Sequence, residues 1–79
     1  MRLSDVTKGS LFFIEALPSG EIRGQAIRLG LLPGARGLCL SSLPGGPVVI
    51  LHGSQEIAVG RRLARRILVS RWPGKGTSL

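Results

Sequence analysis

The chain has 79 residues, a formal charge of +7 and an apolar content of 43%. That length bounds it to one domain with a small core, and the apolar content is too high for a disordered chain. Twelve glycines and five prolines break the sequence too often for a helical bundle, so short strands joined by tight turns are expected.

The N-terminal RLSDVTKGS, residues 2–10, is expected to be an extended lead-in segment anchored by Leu3 and Val6, with a turn at Lys8-Gly9. LFFIEAL, residues 11–17, reads as a strand. Alternation places Phe12, Ile14 and Ala16 on one face and Leu11, Phe13, Glu15 and Leu17 on the other. Glu15 marks the second face as the solvent side, which leaves Phe13 as an apolar group near the surface. PSGE, residues 18–21, is a turn.

Residues 22–29 follow a helical period, with Ile22, Ala26 and Leu29 on one face and Arg23 and Arg28 off it. Gly24 weakens this helix by about 1 kcal/mol relative to alanine, so packing must hold it. Gly30 stands where a left-handed residue ends a helix. Leu31 can then fold back onto the last turn, and Pro33-Gly34 suit the two central positions of a type II turn. LGLLPG is therefore a helix-to-strand corner.

ARGLCLSSL, residues 35–43, reads as a strand, PGGP, residues 44–47, as a loop, and VVILHG, residues 48–53, as a strand buried on both faces or strongly curved. EIAV, residues 56–59, pairs with it in a hairpin around residue 54. GRRLARRI, residues 60–67, makes one or two helical turns with Leu63 and Ile67 on one side. Arg61, Arg62, Arg65 and Arg66 point largely the other way. ILVS closes the fold as a last strand. The Pro/Gly-rich residues 71–79 are expected to form a flexible tail, leaving residues 1–70 as a single domain.

Catalysis needs convergent acids, bases or nucleophiles, and Asp5, Glu15, Glu21 and Glu56 are scattered. Cys39 lies mid-strand with nothing local to activate it, and reads as a small buried apolar residue. One cysteine excludes an intramolecular disulfide and suits a reducing compartment. One histidine, His52, and one cysteine cannot supply the three or four ligands of a tight metal site within one chain. A metal shared between chains through either residue stays open. No phosphate-loop motif is present, and no cofactor is expected. The N-terminus lacks the apolar stretch of a secretory signal. The longest strongly aliphatic run, VVIL, is far short of the roughly 20 residues that span a bilayer. A soluble, cytoplasmic protein is expected.

The strong chemical feature is the arginine cluster: between Gly60 and Arg71 there are five arginines and no acid. It suits an anionic partner, whether nucleic acid, anionic lipid or an acidic protein. Nucleic-acid modules usually interleave aromatics for base stacking, and only Trp72 lies nearby.

LSDVTKG, an apolar strand, IRLGLLPG, a loop with GGPVVI and HGSQEIAVGRRLARRI follow in an order that resembles the ferrous iron transport protein A (FeoA) family over residues 3–69. Leu29-Gly30-Leu31 with Pro33-Gly34 is the most specific element. The pattern of Gly53, Ile57-Ala58-Val59, Arg61, Ala64 and Ile67 comes next. The resemblance implies a mainly β fold: a small SH3-like barrel of about five short strands, one inserted helix and a short C-terminal helical turn. It also implies a non-enzymatic, cytoplasmic accessory of ferrous iron uptake that acts on FeoB, a membrane transporter carrying a GTP-binding domain, at the inner face of the membrane. The arginine-rich last helix and the tail at residues 70–79 depart from the family pattern. The expected partner-binding residues are Phe13, Leu31 and Leu32 as apolar anchors, with Arg61, Arg62, Arg65 and Arg66 as steering charges. A second copy of the chain is a further candidate partner. The competing reading is a small-barrel nucleic-acid-binding protein that uses the arginine-rich segment 61–71.

Overall fold

A computed structural model describes residues 1–72. A 3-10 turn at Leu3–Asp5 leads into β1 (Leu11–Ala16), α1 (Glu21–Arg28), β2 (Arg36–Ser42), β3 (Val48–His52), β4 (Gln55–Val59), α2 (Arg61–Ala64) and β5 (Leu68–Arg71). The strands form one antiparallel sheet in the order β4-β3-β2-β1-β5. Five short strands, one inserted helix and a short helical turn match the architecture expected for a mainly β chain.

The core follows from alternation. Phe12, Ile14, Cys39, Val48, Ile50, Val59 and Val69 project from the strands into one cluster, which Leu3, Val6, Ala26, Leu31, Ala64 and Ile67 close. Phe12 lies flat against β2: a Cβ built on its partner Gly37 would sit 2.7 Å from Phe12 Cζ. A glycine is therefore required there by close approach.

Burial departs from the sequence reading in two places. Ala16 was expected inward but is exposed, because the β1–β5 register shifts between Ile14 and Ala16 and the extra residue turns Ala16 outward. β3 buries Val48 and Ile50 completely but Val49 and Leu51 only in part, so its second face is half-covered. The lead-in segment is not extended throughout. Leu3–Asp5 coil into a 3-10 turn whose ends still place Leu3 and Val6 in the core. Arg71, assigned to the tail, is the last residue of β5 and pairs with Phe12. Trp72, also assigned to the tail, donates its N–H to Leu11 O at 3.1 Å, and the remaining tail residues, 73–79, lie outside the described residues.

The corner after α1 forms as its residues dictate. Gly30 N–H donates to Ile27 O at 2.9 Å and Leu31 N–H to Ala26 O at 2.9 Å, the paired bonds of a Schellman stop. Gly30 has φ +84°, and Gly34 at φ +92° completes the type II turn closed by Ala35 N–H to Leu32 O. Replacing Gly30 by valine should therefore cost about 2–3 kcal/mol through strain. Gly24→Ala, whose Cβ meets only Arg28 Nη2 at 3.5 Å, should stabilise the helix by up to about 1 kcal/mol. Urea unfolding of both variants checks this, and equal effects would misplace the corner.

Candidate partner-binding surface

The four arginines of the α2 region do not act together. Arg61 turns inward and is half-buried. Its guanidinium donates to three backbone carbonyls: Gly46 O from Nε at 2.8 Å, Ser4 O from Nη1 at 3.0 Å and Leu43 O from Nη2. The β2–β3 loop and the N-terminal turn leave these oxygens outside the ladder, and a planar fork with five donors can reach all three. Arg61 was expected to be a steering charge; it is a structural clamp, with three of its five donors already engaged.

Arg62, Arg65 and Arg66 are exposed on α2 and just beyond it. Among the described residues the ion pair present is Arg2–Asp5, at 3.3 Å, so these three guanidiniums carry no paired carboxylate. Arg2 hydrogen bonds to the Asp5 carboxyl hold its pKa below the usual value.

The arginines border two open grooves. Arg62 faces the first turn of α1 across a groove of about 490 Å³ with Glu21, Ile22, Gln25 and Leu63. Arg65 and Arg66 border another of about 300 Å³, floored by Leu17, Pro18 and Leu68. Ile22, Leu17 and Leu68 are not among the partner-binding residues expected from sequence. Leu68 stands 47% exposed, an apolar side chain left open beside two cations. The signal that could have found it is its place right after the arginine cluster, in a strand whose next residue, Val69, is buried.

The expected apolar anchors separate as well. Leu32 is 49% exposed at the corner, whereas Leu31 is 1% exposed and belongs to the core. Leu31 therefore cannot contact a partner in the folded chain, because its Schellman bond folds it under α1. Phe13 is half-buried on the outer face of the sheet, between Arg36 on β2 and Ser70 on β5. Neither Phe13 nor Leu32 lines the arginine-bordered grooves.

Cys39 and His52 are each held by their surroundings. Burial pushes the Cys39 thiol above its ordinary pKa, which keeps it protonated. His52 donates from Nδ1 to Arg36 O at 2.8 Å, since a carbonyl can only accept. Among the described residues no three His, Cys, Asp or Glu side chains cluster to hold a metal ion, and no helix is long and apolar enough to cross a membrane.

This geometry coincides with a known family over almost the whole described chain. The FeoA domain pattern matches residues 1–71. The chain belongs to the FeoA domain family. Among solved structures similar to this FeoA domain is the crystal structure of an iron uptake regulatory protein (FeoA). It is 32% identical with a TM-score of 0.85, over 90% of this chain and 96% of that one. Iron(II) transport protein A from Clostridium thermocellum is 30% identical with a TM-score of 0.83, over 94% of this chain and 47% of its own. FeoA from Stenotrophomonas maltophilia, solved with zinc and described as an SH3 domain protein, shares the fold at 20% identity and a TM-score of 0.73, over 89% of each chain. No curated protein sequence matches the chain. The FeoA domain is thus SH3-like.

Charge-assisted hydrogen bonds contribute about 1.5–3 kcal/mol each, and losing Arg61 takes the donor from Ser4 O and Gly46 O while Leu43 O keeps the Gly46 N–H. Arg61→Met should therefore lower stability by about 2–4 kcal/mol. Arg62→Met, at a solvated position, should change it by less than about 0.5 kcal/mol. Chemical denaturation of the two variants tests the assignment, and a silent Arg61→Met would refute the clamp.

Proposed function

We propose that this FeoA domain is a non-enzymatic accessory of ferrous iron uptake that docks on the cytoplasmic part of a FeoB-type transporter. The observation that carries the reading is family membership over residues 1–71. It agrees with a surface that offers contact rather than chemistry. Three arginines with no carboxylate partner among the described residues border grooves lined in part by apolar side chains, while the thiol is buried and the imidazole hydrogen-bonded to a carbonyl. A cationic rim around apolar anchors suits an acidic protein surface, with the rim setting the encounter rate and the anchors the lifetime.

The nucleic-acid reading has less support. Trp72 is the aromatic nearest the arginine cluster, and the Arg36 guanidinium already lies over its ring at 4.6 Å, so that face is not free to stack on a base.

The measurement is surface plasmon resonance against the transporter's cytoplasmic domain at two salt concentrations, after circular dichroism shows that each variant folds. Arg62→Glu combined with Arg66→Glu should slow association about tenfold at low salt, and the loss should shrink at high salt. Leu32→Asp should raise the dissociation rate about tenfold at either salt concentration. A folded Leu32→Asp that binds like the parent would remove the corner from the interface. No binding by the parent would remove the transporter as partner. Steep log-linear salt dependence of binding to single-stranded nucleic acid would favour the alternative.

A further inference from the structure

The sheet has two edges, and the chain treats them differently. The outer edge of β5 is covered by the chain's own N-terminus. Leu3 N–H donates to Ile67 O at 2.8 Å, Val69 N–H donates to Met1 O at 2.7 Å, and Arg2 bridges to Leu68. Nothing covers β4. Its five residues pair with β3 on one side only. No backbone bond from Glu56 or Ala58 to any other segment exists among the described residues.

The register says which groups lie free. β3 and β4 join through Gly53-Ser54, with His52 opposite Gln55 and Gly53 at φ +63°, the pattern of a two-residue II′ hairpin. The closing pair exchanges both hydrogen bonds, and hydrogen-bonded pairs then alternate along the ladder. Gln55, Ile57 and Val59 therefore spend their N–H and C=O groups on β3. Those of Glu56 and Ala58 point away from the sheet, two residues apart, as a template for another strand.

The bare edge also borders a groove of about 470 Å³, whose opposite wall is Arg28 and Leu29 at the end of α1. Ile57 and Leu29 are half-buried apolar side chains. Arg28 is exposed, and its Nε bonds only to Gly24 O, within its own helix. An edge strand facing a helix across a groove is the arrangement that takes an extended peptide by strand addition. We infer that the β4 edge binds an extended segment of a partner protein as a sixth strand, with apolar side chains flanking one carboxylate at every second position. The backbone pairs with Glu56 and Ala58, the apolar residues meet Ile57 and Leu29, and the carboxylate meets Arg28. Charge decides against a second copy of this chain as occupant, since each copy carries +7.

This inference goes beyond the docking reading above, because Leu32, Arg62, Arg65 and Arg66 do not line this groove, and its test needs no transporter. The probes are two capped heptapeptides, Thr-Val-Thr-Glu-Thr-Val-Thr and the same sequence with lysine in place of glutamate, titrated into the nitrogen-15-labelled full chain. The glutamate peptide should bind with Kd below about 1 mM, and the Glu56 and Ala58 amides should shift and become protected from hydrogen exchange. The lysine peptide should bind at least about tenfold more weakly, and Arg28→Glu should reverse that preference. Ala58→Pro removes an outward N–H that a proline on an edge strand can forgo. It should abolish peptide binding while leaving the cooperative melt intact, and Ala58→Thr should bind like the parent. Absent binding, equal binding of the two peptides, or shifts confined to the α2 arginines would overturn the inference. So would protection of the same two amides in peptide-free protein that rises with protein concentration, which would assign the edge to a second copy.

Discussion

One guanidinium holds together the parts of this molecule that the sheet does not. Strand pairing fixes β1 through β5, but the N-terminal turn and the β2–β3 loop leave carbonyls outside the ladder. Arg61 meets Ser4, Leu43 and Gly46 at once, so residues far apart in sequence converge on one side chain. The consequences spread from there. Arg61 opens α2, and α2 delivers the chain to β5. The carbonyl of Ile67 and the edge of β5 then accept the N-terminal segment, whose own carbonyl at Ser4 is bonded by Arg61. A lysine has a compact ammonium without the planar fork and could not serve three diverging acceptors equally. In a domain this small, where the hydrophobic core is modest, such a clamp is a substantial part of what holds the N-terminal turn and the β2–β3 loop in place.

What could be read from the sequence was what local rules decide. The helix stop needed only Gly30, the type II turn only Pro33-Gly34, and the hairpin only a short polar break between two apolar runs. Phe12 and Ile14 of β1 followed from period-two alternation, whereas β3, expected to be buried on both faces or strongly curved, covers its second face only in part. Failures came where the outcome depends on a distant neighbour. Leu31 and Leu32 are identical residues side by side; which one enters the core depends on the backbone bond from Leu31 to Ala26. Arg61 and Arg62 present the same problem. A helical wheel groups Arg61 with the solvent face, and only the carbonyls of Ser4, Leu43 and Gly46, placed by tertiary structure, draw it inward. Ala16 turned outward because β1 bulges against β5, which alternation within one strand cannot foresee. The grooves beside α2 were likewise illegible, because α1, β5 and the β1–α1 turn that line them meet only after folding.

The charge of +7 therefore does not describe one uniform surface. Arg61 is spent on structure, Arg36 lies over Trp72 and Arg2 pairs with Asp5. Among the described residues Arg62, Arg65 and Arg66 have no carboxylate partner at the rims of their grooves, and Arg28 stands at the end of α1 across a groove from β4. These positions differ in what they can do. A guanidinium on a convex rim acts at a distance and mainly accelerates encounter. One set across a groove from an unpaired strand edge can select a particular residue of a bound segment, because the backbone register fixes where that residue sits.

The asymmetry of the two sheet edges carries the same logic further. Unpaired edges invite aggregation, and natural sheets cover, shorten or charge them. Here the β5 edge is covered by the first three residues, held in part through Arg61. The β4 edge is left five residues long with one charge, Glu56, at its outer face. A chain that invests its most demanding polar interaction in closing one edge, yet leaves the other open beside a groove, has the means of protection and applies it selectively. Stability alone accounts for the closed edge. The open one is accounted for by a partner strand that supplies the missing hydrogen bonds, and this places recognition on backbone geometry, with the side chains of Leu29, Ile57 and Arg28 left to choose among the segments that fit.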